Sequence, residues 1–272
     1  MYAVPRRASF SPVAVLAVVV VATGLTSPAV AEEPSKPEPK AAKAEEKPGV
    51  DPSAPAAAKV SVTIDGKTMA CHEQAPQPFL VRGSWFPKAT DADAVKAGRK
   101  MLEEAIKYRT QQYGYFEGFG NAKWNAHPPK HYAKSTSFMG MTVQVHEKVV
   151  PALKCVEAAL KASGAGDEYK PRAMGGMRFH NTYKGVEVSN HVYGIAIDIE
   201  PDKNTCCGCV KPWNEHPLCK KKVKSIFERM VMPKSWVDTF ERFGFYWLGH
   251  DVLADTMHFE FLGEPDKILE TP

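Results

Sequence analysis

The chain of 272 residues carries little charge of one sign: 35 lysines and arginines against 31 aspartates and glutamates leave a net charge of +4. That balance gives no electrostatic footprint for nucleic acid, and much of the lysine sits in a low-complexity stretch. Long apolar runs are also scarce. PVAVLAVVVVATGL, near the N-terminus, is short for a membrane span of roughly 20 residues. No internal repeat is visible, which argues against a solenoid or propeller. Helix and strand patterns do not alternate as repeated βα units, which argues against a parallel doubly wound sheet.

What is present begins with a targeting pattern. Arg6 and Arg7 precede the apolar run, and small residues at Ala29 and Ala31 follow it. Charge, apolar core and small-x-small site are the order of a signal peptide, predicted here over residues 1–31. The arginine pair leaves open the general or the twin-arginine export route. No cysteine stands at the cleavage site, so no lipid anchor is expected, and no stable membrane anchor after cleavage. The expected location is exported, periplasmic or secreted. Residues 32–58 are rich in Pro, Ala, Lys and Glu and hold no aromatic residue. Such a segment cannot bury enough apolar surface to offset its ordering entropy and reads as a disordered linker.

The six cysteines are Cys71, Cys155, Cys206, Cys207, Cys209 and Cys219. An even count in an exported chain predicts disulfides that staple a loop after the Asp198 strand; the connectivity stays open among 15 pairings. A zinc site at TCCGCVKPWNEHPLC is the competing reading.

The periodicity predicts an α+β fold, an antiparallel sheet with helices packed on it. KVSVTIDGKTM (59–69) reads as a strand entering a hairpin at Asp65-Gly66. Residues 90–108 read as a helix with Val95, Met101, Leu102, Ala105 and Ile106 on its apolar side. The aromatic, glycine-rich stretch YGYFEGFGNAKWN (113–125) reads as a packed loop, with ligand binding as the alternative. Residues 138–145 read as a strand, and 148–162, 222–232 and 235–243 as helices. Residues 245–248 and 257–262 read as strands. The domain division is an N-terminal extension at 59–134 packed on a catalytic domain at 135–272.

The chemistry concentrates in two stretches, SNHVYGIAIDIEP (189–201) and DTMHFEFLG (255–263). A carboxylate between isoleucines is expensive to bury. On a strand, Ile195, Ile197 and Ile199 turn to one face and Ala196 and Asp198 to the other. Gly194 allows a bend that returns His191 over that second face. In the later stretch Met257, Phe259 and Phe261 turn inward, while His258 and Glu260 share the exposed face. His191, Asp198 and His258 then make a three-ligand zinc site with one position left for water, on the open face of the sheet. The ion compensates the carboxylate's desolvation. Asp255 is placed to act as base toward the water without ligating the metal. Arg178 is the candidate cation for a substrate carbonyl or carboxylate, with Arg172 as its alternative. Glu260, His180 and His250 are candidates to support the ligands; the other histidines read as structural.

The first stretch resembles the S-x-H-x-x-G-x-A-x-D motif of the D-Ala-D-Ala carboxypeptidase family of zinc peptidases, the VanY type. ADTMHFEF resembles the same family's closing acid-x-x-H-F-E motif. The resemblance covers roughly residues 138–263. It implies that His191, Asp198 and His258 bind zinc, that Asp255 is the catalytic acid/base, and that an upstream arginine, here Arg178, serves the substrate. An aspartate at 255 looks more like the L-alanyl-D-glutamate endopeptidase branch. The expected function is an exported zinc metallopeptidase acting on peptidoglycan stem peptides, as carboxypeptidase or endopeptidase. A zinc-retaining but inactive cell-wall or protein binding module is the alternative. The expected partner is a peptidoglycan peptide, with no nucleic acid and with the oligomeric state left open.

Overall fold

The computed structural model describes residues 59–85, 92–183 and 187–270. The predicted signal peptide and linker lie outside the described residues. Among those described, no helix is long and apolar enough to cross a membrane.

The chain opens with the expected hairpin, β1 (Ser61–Ile64) and β2 (Lys67–Ala70). Asp65 and Gly66 both have positive φ, the two-residue turn whose twist matches the strands. The helix α1 (Ala92–Tyr113) follows and runs five residues further than its pattern predicts. Its buried positions are Gly98, Ala105, Arg109, Thr110 and Tyr113, whereas Val95 and Met101 are exposed. The apolar stripe holds at Leu102, Ala105 and Ile106 and fails at Val95 and Met101, and the inner face also takes in Arg109.

A second hairpin joins β3 (Ala133–Phe138) to β4 (Met141–His146). The single strand expected over 138–145 is therefore wrong. Met139 and Gly140 have φ of 48° and 83° and turn the chain in the middle of it. The helix α2 (Val150–Ser163) ends at Gly164, whose φ of 79° makes a left-handed cap, and the single turn α3 (Ala165–Glu168) follows.

The sheet that carries the site is four-stranded and antiparallel throughout. Its strands are β5 (Met174–Gly175), β6 (Ala196–Ile199), β7 (Phe245–Trp247) and β8 (His258–Phe261), in the order β5-β6-β8-β7. A short helix, α4 (Asn190–Tyr193), precedes β6, and α5 (Lys234–Arg242) precedes β7. The helix expected over 222–232 is only a 3-10 turn at Ile226–Arg229. Its start is closed by a reciprocal Ser225–Glu228 cap, and the chain is extended again at Met230, three residues before Pro233.

One sheet face meets α2 and α5. Ile197, Ile199, Phe259 and Phe261 from the strands are buried in one cluster with Leu153, Val156, Trp236 and Phe240 from the helices. Phe240 stacks on Phe259 at 4.3 Å and meets Phe245 edge-on at 5.1 Å. Each such ring, fully buried, contributes about 1.5–3 kcal/mol. This layer holds β6 and β8 in register. The chain is α+β, as its pattern predicts.

Candidate active site

The register of β6 on β8 sets Asp198 directly opposite His258, and Ala196 opposite Glu260. Alternation puts these four side chains on the face away from the α2–α5 layer. His191 reaches them from α4 because the chain reverses at Gly194, with φ of 70°. A Cβ at Gly194 would lie 2.7 Å from the backbone nitrogen of His146, which instead donates to the Gly194 carbonyl at 2.8 Å. The bend thus needs glycine on two counts, conformation and space.

The three predicted ligands converge. His191 Nε2 lies 3.1 Å from Asp198 Oδ2 and 3.2 Å from His258 Nδ1, which is 2.9 Å from Asp198 Oδ1. The outer ring nitrogens are also engaged. His191 Nδ1 is 2.7 Å from the Gly176 carbonyl, and His258 Nε2 is 3.1 Å from Glu260 Oε1. Both outer nitrogens must donate to those oxygens, which leaves His191 Nε2 and His258 Nδ1 to present lone pairs inward. Two imidazole lone pairs and a carboxylate aimed at one point repel unless a cation stands between them. This donor set fits a divalent metal such as zinc. The positive charge that the carboxylates demand falls on His258 as a proton, which a metal would displace. Burial works against charge on both groups and is outweighed. The two histidines hold the Asp198 carboxyl well below the usual carboxylate range. Asp198 and Glu260 hold the His258 imidazole well above its ordinary value.

The side chains on this face are more buried than expected, although a cleft reaches the three ligands. Asp198, His258 and Glu260 are all buried, and Glu260 is not on an exposed face. Arg109, only 1% exposed, donates to Asn190 Oδ1 at 3.0 Å. Its guanidinium lies over the rings of Trp85 and Tyr193. Asn190 in turn bonds Glu260, which these partners and His258 keep below its ordinary pKa despite burial. A line of contacts therefore runs from α1 to His258. Alternation identified Glu260 as a possible support; no signal in the sequence pointed to Arg109.

A cleft of 790 Å³ opens over the three ligands, lined also by Arg178, Tyr183, Asp255 and Trp213. Asp255 stands where the chain leaves a left-handed residue, Ala254, and bridges to Cys206. It is buried, and its Oδ1 has no partner. Burial first, then the nearby Asp198 and Glu260 charges, push its carboxyl up to about 7, against the pull of His258. That is the range a general base or acid requires near neutral pH. Arg178 Nη2 donates to Asp198 Oδ2 at 2.6 Å, and its side chain remains 39% exposed. Arg172 is exposed outside the cleft lining, with its backbone N–H on Glu200. His180 and His250 do not line the cleft; His250 pairs with Glu241 on the surface.

All six cysteines are paired, as Cys71–Cys155, Cys206–Cys209 and Cys207–Cys219. Disulfides staple the loop after β6, as expected, and two of the three do so. Cys206 and Cys209 lie beside Asp255 but, being bonded to each other, offer no thiolate to a metal. The loop walls the cleft through Cys209, Val210 and Trp213.

Residues 183–261 match the family model of D-alanyl-D-alanine carboxypeptidase. The match bears out the resemblance read from the two motifs and supports a peptidase of this kind. It spans His191, Asp198, Asp255 and His258, and it leaves out Arg178 and everything before it. No curated protein and no solved structure matches the chain significantly.

Proposed function

We propose that the chain is a zinc peptidase that hydrolyses peptide bonds in peptidoglycan stem peptides, trimming a terminal D-alanine or cutting an L-alanyl-D-glutamate bond. The observation that carries this reading is the convergence of three lone-pair donors in a cleft that also holds a carboxylate with an unpartnered oxygen. His191, Asp198 and His258 hold the zinc, which when bound supplies Lewis-acid polarisation of the scissile carbonyl and of the attacking water. Asp255 takes the water's proton and returns it to the leaving amine, as its raised pKa suits. Arg178 holds the substrate carbonyl or carboxylate while its contact with Asp198 fixes its position. Burial of the three ligands and of Asp255 strengthens these interactions.

The same reading has the chain acting outside the cytoplasm; pairing of every cysteine supports that location. The test is digestion of purified peptidoglycan with mass analysis of the products, with and without a chelator. Wild-type protein releases fragments only with metal present. Asp255→Ala keeps its metal and loses about 10²-fold or more in kcat. Full metal occupancy with no bond cut would instead favour the binding-module reading.

A further inference from the structure

Beside the cleft lies a second cavity of 280 Å³, walled by Tyr115, Phe116 and Phe179 together with Pro129. Glu117 and Lys130 also line it. Arg178 lines both cavities, so the two are neighbours. The walls are formed in advance. The Tyr115 N–H donates to the His127 carbonyl at 2.8 Å, and Phe119 N–H to the Phe116 carbonyl at 3.0 Å. Gly114 lets this loop close, since a Cβ there would lie 2.7 Å from the Pro129 nitrogen. Phe179 nevertheless stays 64% exposed, a large apolar side chain left in water at a cavity edge. Apart from Val192, the lining residues lie outside the stretch matched by the peptidase family.

We propose that this cavity is a subsite for a sugar ring of the glycan strand that carries the stem peptide. The proposal rests on the peptidase reading and deepens it: the substrate is the intact polymer rather than a free peptide. Aromatic walls with a few charged groups suit a ring that has apolar faces and a hydroxyl and amide rim. An extended peptide would need a strand edge to pair with, and none of the lining residues belongs to a strand. The volume is near the small end of ligand sites, about 300 Å³, enough for one ring and not for a chain. Through Arg178, an occupied ring would anchor the stem beside the three metal ligands.

The probe is a tetramer of N-acetylglucosamine, titrated calorimetrically into wild-type protein, Phe179→Ala and Tyr115→Ala. Phe179 is exposed, so its variant removes little from the core. Wild type binds, and each variant binds about five- to tenfold more weakly. In the second arm, kcat/KM falls by a similar factor on intact peptidoglycan and is unchanged on the free stem peptide. Cleavage of the free stem without any binding of the tetramer overturns the subsite and leaves the peptidase reading standing. Equal losses on polymer and free stem overturn it too. Tetramer binding that weakens in both variants, in a protein that cuts neither substrate, upholds the subsite and sinks the peptidase reading.

Discussion

His258 binds a metal through Nδ1 only if Nε2 keeps its proton, and Glu260 is the group that holds that proton in place. Glu260 is buried, so it stays ionised only because His258, Asn190 and Arg109 compensate it. The ligand geometry therefore depends on a cation that lies 149 positions away in sequence, on α1. Partners of this kind change metal affinity by about 10–100-fold when removed. Glu260→Gln keeps the shape and loses the charge, and it should weaken zinc binding about tenfold, measured by competition with a chromophoric chelator. Arg109→Met should move affinity in the same direction while far-UV circular dichroism is unchanged. Unaltered zinc affinity in a folded Glu260→Gln protein would show that the carboxylate does not orient His258.

At the scale of elements, β4 hands the chain to α2 at His146. Its Nδ1 accepts the Lys148 N–H at 3.1 Å, so the neutral ring carries its proton on Nε2, which is buried without a partner. Tyr113 and Tyr132 pack on the ring, each at 5.1 Å. Burial first, then Lys148, lower its pKa to about 4 from the ordinary 6.5. Above pH 6.5 the imidazole is neutral folded or unfolded. As pH falls from 6.5 to 4 the unfolded chain takes up a proton that the folded one refuses, so stability is lost across that window and is level below it. The loss amounts to about 3 kcal/mol. Urea melts of the metal-free protein at pH 7.5 and 4.5 should show wild type losing about that much more than His146→Gln. Parallel pH dependence in the two proteins would place the acid sensitivity elsewhere.

For the molecule as a whole, residues 59–134 are built into the same core as the catalytic strands. Val60, Val62 and Tyr113 are buried in one cluster with Leu153 and Phe240, and Cys71–Cys155 ties the first hairpin to α2. A bridge of that span contributes about 2–4 kcal/mol by restricting the unfolded chain. A fragment of residues 135–272 lacks these groups and also Arg109. We expect it to show no cooperative thermal transition, whereas residues 59–272 melt in one step. A sharp transition in the shorter fragment would make the extension an accessory.

What could be read from the chain alone was local: ligand types, their spacing, strand alternation, and the turns at Gly66 and Gly194. Such features follow from backbone geometry and from the chemistry of neighbouring residues, so a single stretch such as SNHVYGIAIDIEP carries them. The same reasoning failed where distant packing decides. Alternation showed that Asp198, His258 and Glu260 share a face, and only the folded chain showed how deeply these side chains are buried at the floor of a cleft. The buried side of α1, the pairing of the cysteines and the role of Arg109 likewise depend on which remote segments come together. Burial is a property of the assembled layers, and no residue's immediate neighbours in sequence determine it.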